Sequence, residues 1–386
     1  MAKYTTPGVY IDETPGFPPS VNEEPTSTAV FIGYTGIVTD ADGNDITLKP
    51  ISIKSFLEYT TVFGSNGGTG YLFDAVHLFY NNGGNNCYVI SAGNFNDAVS
   101  FAALNTCLDN SKNVQAQLLI IPDACLLPAN EFSALQQLML QYCAVSEDRF
   151  AILDTMQPSG NIDLDLENFR TGIGNTNLKW GAAYYPWLIL PDNKTVPPAG
   201  AIAGAYAKVD TNRGVWKTPA NISLNGIKGI TTGLTDRQQE IMNIDAAGGK
   251  SVNAIRQFTG KGILIWGART LAGNDNEWRY VPVRRLITMV EQSVKKSTAW
   301  AVFEPNHTNT WVKIKALVSN YLTLLWRKGA LQGTTTAQAF FVNAGLGTTM
   351  TTIDILEGRL IVEIGLAVVR PAEFIILRFS HKIAET

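Results

Sequence analysis

Charge is scarce in this chain. Asp, Glu, Lys and Arg make up 16% of its 386 residues, against 45% hydrophobic residues. A monomer whose whole surface meets water carries more, so part of the surface is expected to be covered by partners. The formal net charge of -3 argues against a general nucleic-acid binder, which would usually carry a strongly basic face. Histidine is rarer still, with only His77, His307 and His381. His77 lies between Val76 and Leu78 on an apolar helix and reads as a core or interface residue. His307 follows Glu304-Pro305-Asn306 and reads as a cap or loop hydrogen-bonder, and His381 sits too near the C-terminus for a preorganised site. The four cysteines, Cys87, Cys107, Cys125 and Cys143, contain no C-x-x-C pair, which excludes a zinc site or a disulfide scaffold and predicts buried free thiols. No run approaches 18 apolar residues, and the opening MAKYTTPGVYIDE has no apolar leader. Neither a membrane span nor a secretory signal is expected, and synthesis and folding are expected in the cytoplasm.

Nucleotide and catalytic motifs are equally thin. No G-x-S-x-G occurs. Gly249-Lys250-Ser251 ends like a phosphate loop, but position 244 is Ile instead of Gly and the preceding segment reads as helix. Gly345-Leu346-Gly347 lacks a third glycine and reads as a turn. Catalytic, cofactor-binding and metal-binding residues are therefore expected to be none. The stretch from Arg284 to Lys328 gathers eight basic residues against Glu291 and Glu304, and is either a solvated face or a docking surface for an acidic partner.

What is present is an α/β rhythm. Residues 1–27 place Pro7, Pro15, Pro18, Pro19 and Pro25 among short extended pieces, so this segment reads as an arm. A strand at Thr28–Gly33 follows. Leu72–Tyr80 has helical spacing and feeds a strand at Cys87–Ile90. Further strands are expected at Gln117–Pro122, Phe150–Asp154 and Trp180–Leu190, with a helix at Asn130–Cys143 opened by Asn130. A small-residue helix is expected at Ala199–Tyr206, followed by a polar stretch from Asp210 to Gly233. The last third gives a strand at Ile263–Gly267, a helix at Val283–Ser297, a strand at Ala299–Phe303 and a helix at Thr310–Lys328 stopped by Gly329. Strand-like runs close the chain at Ala339–Asn343, Arg359–Val369 and Ala372–Phe379. Nearly apolar strands alternating with helices predict a mostly parallel sheet covered on both faces.

Several blocks in order resemble the tail sheath family of contractile phages and related injection systems. These are Thr6-Pro7-Gly8-Val9-Tyr10-Ile11-Asp12-Glu13 followed by Thr28–Gly36, Asn81-Asn82-Gly83-Gly84 before Cys87-Tyr88-Val89, Gly262–Leu271, Trp278–Arg285, Val302-Phe303-Glu304-Pro305-Asn306, Leu325–Gly333, and Gly358–Gly365 to Arg370-Pro371-Ala372-Glu373-Phe374. The sequence departs from the family at Thr259-Gly260-Lys261-Gly262 and in the longer, more basic loop 246–251. The resemblance implies a central α/β domain of subtilisin-like topology (28–260), an α+β C-terminal sheath domain (261–371), and extended N-terminal (1–27) and C-terminal (372–386) arms that exchange strands between subunits. It implies exchange through Val9, Tyr10 and Ile11 and through Phe374, Ile375, Ile376 and Leu377. It implies as partners further copies of the chain, an inner tube protein, and baseplate and terminal cap proteins, with no nucleic acid and no membrane insertion. The implied function is a structural subunit that polymerises helically around a tube and contracts. Assembly would take place in the bacterial cytoplasm, and the product would be a phage tail or an extracellular or cell-associated particle. A short helix at Met350–Glu357, where relatives carry a tube-facing helix, offers Asp354 and Glu357 as contacts. The competing reading is a subtilisin-like or other hydrolase on the same machine, which would need Ser, His and Asp in one pocket.

Overall fold

A computed structural model describes residues 20–65, 68–245 and 248–374. Two compact units emerge, one from the described residues of 24–292 with 368–374, the other from 20–23 with 293–367. The expected division at 260/261 falls inside a hairpin turn, because the strands on either side of it pair with each other; the larger unit runs on to Gln292.

In chain order the larger unit contains β1 (Ala29–Thr35), β2 (Pro50–Ile53), α1 (Phe56–Phe63), α2 (Leu72–Asn81), β3 (Cys87–Asn94), α3 (Phe101–Asn110), β4 (Leu118–Ile120), α4 (Ala129–Ser146), β5 (Phe150–Asp154), α5 (Ile162–Gly172) and β6 (Gly181–Tyr185). It continues through β7 (Leu188–Ile189), β8 (Thr195–Val196), α6 (Ala199–Arg213), β9 (Ile222–Ser223), β10 (Gly229–Ile230), α7 (Asp236–Asn243), β11 (Val252–Phe258), β12 (Gly262–Ile265) and the first part of α8 (Val281–Ser297). Nine strands form one sheet in the order β2-β3-β1-β4-β5-β6-β11-β12-β9. The pairings from β3 through β11 are parallel, and β2, β12 and β9 add antiparallel edges.

Alternation along the strands divides the core into two layers. Ala29 and Phe31, Leu118 and Ile120, Phe150 and Ile152, and Ala182 and Tyr184 face α2 and α6. Val30 and Ile32, Leu119, Ala151 and Leu153, and Ala183 and Tyr185 face α3, α4 and α5. Both faces are thus covered, which is why these strands read as continuous apolar runs. The small-residue helix α6 has a packing reason: a Cβ at Gly200 or Gly204 would collide with the backbone of α2 at Ala75 or Phe79.

Several expected elements differ. The run Trp180–Leu190 breaks at Pro186, which has no N–H to give a ladder; β6 ends before it and β7 joins a separate small sheet with β8 and β10. Ala129 opens α4 after Pro128, so Asn130 is not its cap. Ala299–Phe303 is a single 3-10 turn and a loop instead of a strand. Val302 and Phe303 face outward, 64% and 102% exposed, while Trp300 and Ala301 are half-buried, and an apolar run of five cannot be told from a buried strand by pattern alone.

The smaller unit holds the end of α8, α9 (Thr308–Arg327), α10 (Thr336–Ala339), β13 (Phe340–Asn343), α11 (Thr352–Leu356) and β14 (Glu363–Leu366), with β13 and β14 forming a two-stranded antiparallel sheet. Gly329 at φ 84° stops α9, as expected. Within Arg359–Val369 only β14 is strand, and Ala372–Phe374 is unpaired; the rest of that last run lies outside the described residues.

At the end of β5, Asp154 is buried and accepts a hydrogen bond from the first backbone N–H of α6, at Ala199 (2.8 Å). Burial pushes its carboxyl up to about 8 from 3.8, against the pull of that bond. Because folded Asp154 keeps a proton that the unfolded chain releases, stability falls as pH rises from 3.8 towards about 8. Asp154→Asn should flatten this slope, which is at most about 1.4 kcal/mol per pH unit. Urea midpoints across that window check it, and an unchanged slope would contradict the assignment.

Candidate functional site

In open α/β sheets, ligands enter the crevice beyond the carboxyl ends of the strands, where the strand order reverses. Here that point lies between β1 and β4, and a side chain of the chain itself fills it. Asp123, fully buried just after β4, accepts hydrogen bonds from Tyr34 N at the end of β1 (2.6 Å), and from Tyr71 N (2.6 Å) and Leu72 N (3.2 Å) at the start of α2. A helix N-terminus presents unpaired donors that attract an anion, and Asp123 is that anion. Gly33 makes room for it, since a Cβ there would strike Asp123 Oδ2. Burial raises the carboxyl to about 6, and the three backbone bonds oppose the shift. The crevice is closed from within.

The motifs screened in the sequence are likewise committed to internal bonds. Lys250 Nζ donates to Arg170 O, and Ser251 Oγ to Asn243 O (2.6 Å). His307 accepts from Thr310 N as the cap of α9. His77 is bonded to Asn81 and stacks on Phe56 at 4.5 Å; His381 lies outside the described residues. All four cysteines are buried and free. Among the described residues no group of three or more His, Cys, Asp or Glu is placed to hold a metal, and no helix is long and apolar enough to cross a membrane.

For two of the eight basic residues between Arg284 and Lys328, a solvated or docking role fails on burial. Arg284 lies between the rings of Trp180 and Trp278, 4.4 Å from each, and pairs with Glu291. Arg285 pairs with Asp210, donates to Thr26 O (2.9 Å) and lies over Tyr206. Consecutive residues on a helix diverge by 100°, so one helical turn can sink two arginines only where aromatic rings and acids receive both. The pattern of charges alone carries no sign of those partners.

The smaller unit concentrates exposed apolar side chains. Val302 and Phe303 border a groove of about 620 Å³ lined also by Val294, Ile314, Leu360 and Val362. Phe303 has φ 69°, a strained conformation for a bulky residue. The loop behind it is pinned: Trp311 Nε1 donates to Asn306 Oδ1 (2.7 Å) and Asn306 Nδ2 to Arg359 O (2.9 Å). On α11, Ile353 is 63% and Leu356 81% exposed. Thr351 and Asp354 form a capping box, and Arg359 binds both Asp354 Oδ1 (2.7 Å) and Glu357 Oε2 (2.6 Å). Bonds from Thr351 and the Arg359 guanidinium hold the Asp354 carboxyl below its usual range.

The phage tail sheath protein central domain matches residues 97–271, and the phage tail sheath C-terminal domain matches 273–382. In three dimensions the chain is similar to the sheath of an extracellular contractile injection system, PVC, in its contracted state. That match has 33% identity and a TM-score of 0.77, covering 99% of both chains. The chain belongs to the tail sheath family. A chain of the anti-feeding prophage baseplate is 33% identical, with a TM-score of 0.77, over 98% of this chain and 100% of that one. The tail sheath protein of Vibrio phage KVP40 is 28% identical over 199 residues, which are 47% of this chain and 29% of the phage protein; the match spans less than a third of that curated relative.

Of the residues that the sheath resemblance assigns to function, Val9, Tyr10, Ile11, Ile375, Ile376 and Leu377 lie outside the described residues. Phe374 is 69% exposed. Asp354 and Glu357 do come together, but around Arg359, which pattern reading missed. The signal was Gly358, whose φ of 72° turns the chain so that Arg359 N bonds back to Asp354 O (2.8 Å) and its side chain reaches both acids.

Replacing Asp123 with Asn puts an amide N–H₂ where backbone donors need an acceptor, leaving at least one of them unpaired. A loss of about 1–3 kcal/mol is expected, measured by urea unfolding; stability within error of the parent would show that the crevice does not depend on this carboxylate.

Proposed function

We propose that this sheath-family chain polymerises helically around an inner tube and drives the tube forward by contracting. The observation that carries this reading is the end-to-end similarity to a sheath resolved in its contracted state. Further supports are the closed crevice at Asp123 and the low surface charge. Under this reading the free energy of contraction comes from new contacts between subunits, and no nucleotide is consumed. The central domain is taken as subtilisin-like in topology, for which the continuous parallel run from β3 to β11 gives support.

Connectivity during contraction would come from strand exchange. Among the described residues β13 and β14 pair only with each other, and a sheet edge of this kind can accept a further strand. The terminal arms, through Val9–Ile11 and Phe374–Leu377, are the strands proposed to add to neighbouring copies. Each backbone bond contributes only about 0.5–1.5 kcal/mol net, but two arms per subunit repeat through a lattice. The N-terminal boundary needs adjusting from 27. Asn22 N donates to Ser297 Oγ (3.2 Å), Glu23 pairs with Lys328 (3.1 Å) and Thr26 Oγ1 donates to Asp210 (2.6 Å), so residues from 22 onward belong to the folded body. Deleting residues 1–19 should therefore leave melting unchanged and abolish long sheaths in electron micrographs. Long sheaths from the truncated chain would refute exchange through this arm.

The tube-facing surface is proposed at α11, with baseplate and cap proteins at the two ends of the polymer and assembly in the bacterial cytoplasm. Since Arg359 shares both carboxylates, the Asp354, Glu357 and Arg359 group carries one net negative charge. Asp354 is tied up in the cap, and Glu357 is the more available acid. An exposed charge contact of this kind adds about 0–1 kcal/mol per subunit, weak enough to break on firing. Glu357→Gln should leave polymerisation intact and reduce the ratio of extended, tube-filled particles to contracted ones. An unchanged ratio, counted by electron microscopy, would remove Glu357 from the grip.

A further inference from the structure

Two of the sequence blocks that carry the sheath resemblance, one around Arg269 and the other around Glu373, are 104 residues apart and meet side by side. Arg269 is 3% exposed and its guanidinium makes a two-pronged bond to the Glu373 carboxylate, Nε at 3.0 Å from Oε1 and Nη2 on Oε2. Its remaining nitrogen, Nη1, donates to Asn243 O (3.1 Å), and Tyr280 Oη donates to Glu373 Oε2 (3.4 Å). The backbone of Arg269 is fixed as well. Buried Asn253 bonds both its N–H and its C=O (2.8 Å each), and Arg269 bridges to Tyr280. This is a rigid receptor for one carboxylate.

What the receptor holds is an otherwise loosely attached segment. Residues 371–374 are extended, with Pro371 and Glu373 facing inward and Ala372 and Phe374 outward. Among the described residues no strand pairs with 371–374, and Glu373 is the side chain that ties this stretch to Arg269. Planar guanidinium geometry sets direction as well as position.

We infer that Arg269 is the positioning residue of the C-terminal arm: its pair with Glu373 is the root from which the arm departs towards a neighbouring copy. The inference rests on the strand-exchange reading given above. Orientation at the root matters because an exchanged strand must meet its acceptor edge in one register, and a one-residue slip would turn every side chain to the wrong face.

The test uses the full-length chain and three changes. The double variant Arg269→Met with Glu373→Met removes both charges, so no unpaired guanidinium remains buried. It should melt as the parent does, show faster hydrogen exchange over residues 370–374, and lose at least about tenfold in sheath yield. Deletion of residues 375–386 should abolish sheaths. Arg269→Lys keeps the charge and loses the fork; should the double variant fail to fold, this one should show the same exchange and yield changes with native melting. Normal sheaths from the deletion would overturn the strand-exchange reading itself. If the deletion blocks assembly while the double variant, or Arg269→Lys in its place, assembles normally, the reading stands and the positioning role of Arg269 is overturned. A purely structural Arg269 would lower melting without selective exchange at 370–374, which also overturns it.

Discussion

Three backbone N–H groups converge at the point where the central sheet reverses its strand order, and a buried donor without an acceptor costs about 1–3 kcal/mol. Asp123 meets that requirement from within the chain. Much follows from this choice. The carboxylate joins β1, β4 and α2, three elements far apart in sequence, and it demands glycine at position 33. It also occupies the place where a phosphate would sit in many sheets of this design. Asp154 repeats the device one strand along, at the start of α6. The strand ends that carry chemistry in other α/β proteins are here tied by the chain's own carboxyls to neighbouring backbone.

The same economy governs the cations. Arg284 and Arg285 are spent on aromatic rings and internal acids, Arg269 on Glu373, and Arg359 on its two neighbouring acids. The buried pairs of Arg285 with Asp210 and of Arg269 with Glu373 cost desolvation and add little net stability, but they fix geometry; the Arg359 pairs lie at the surface. The smaller unit also exposes large apolar side chains, among them Val302, Phe303, Ile353 and Leu356. A chain with 16% charged residues is poorly protected against association, and this unit is where that deficit is visible.

The central sheet was legible in sequence because its strands are buried on both faces, and their apolar runs, as at Phe150–Asp154, alternate with helical segments in a βαβ rhythm. The helix α9, stopped by Gly329, was equally plain; α6 was legible only to Tyr206, because its polar last turns up to Arg213 carry no apolar period. The Ala299–Phe303 run misled because its apolar residues serve a surface, where pattern rules assume a core. The pairs of Arg269 with Glu373 and of Arg359 with Asp354 and Glu357 were not legible as contacts, although the residues themselves stood in the recognised blocks. Side-chain pairing depends on the turn at Gly358 or on a separation of 104 residues, and neither leaves a periodic trace. The boundary expected at 260/261 rested on the family resemblance and falls in the turn between β11 and β12, which pair with each other.

The central claim is that this chain works by assembling, without nucleotide or catalysis. Electron microscopy of the purified full-length protein in nucleotide-free buffer tests it most directly. Hollow helical cylinders, unchanged by added nucleotide, are the predicted result; a monodisperse population of monomers at high concentration, or cylinders that form only when nucleotide is present, would contradict it.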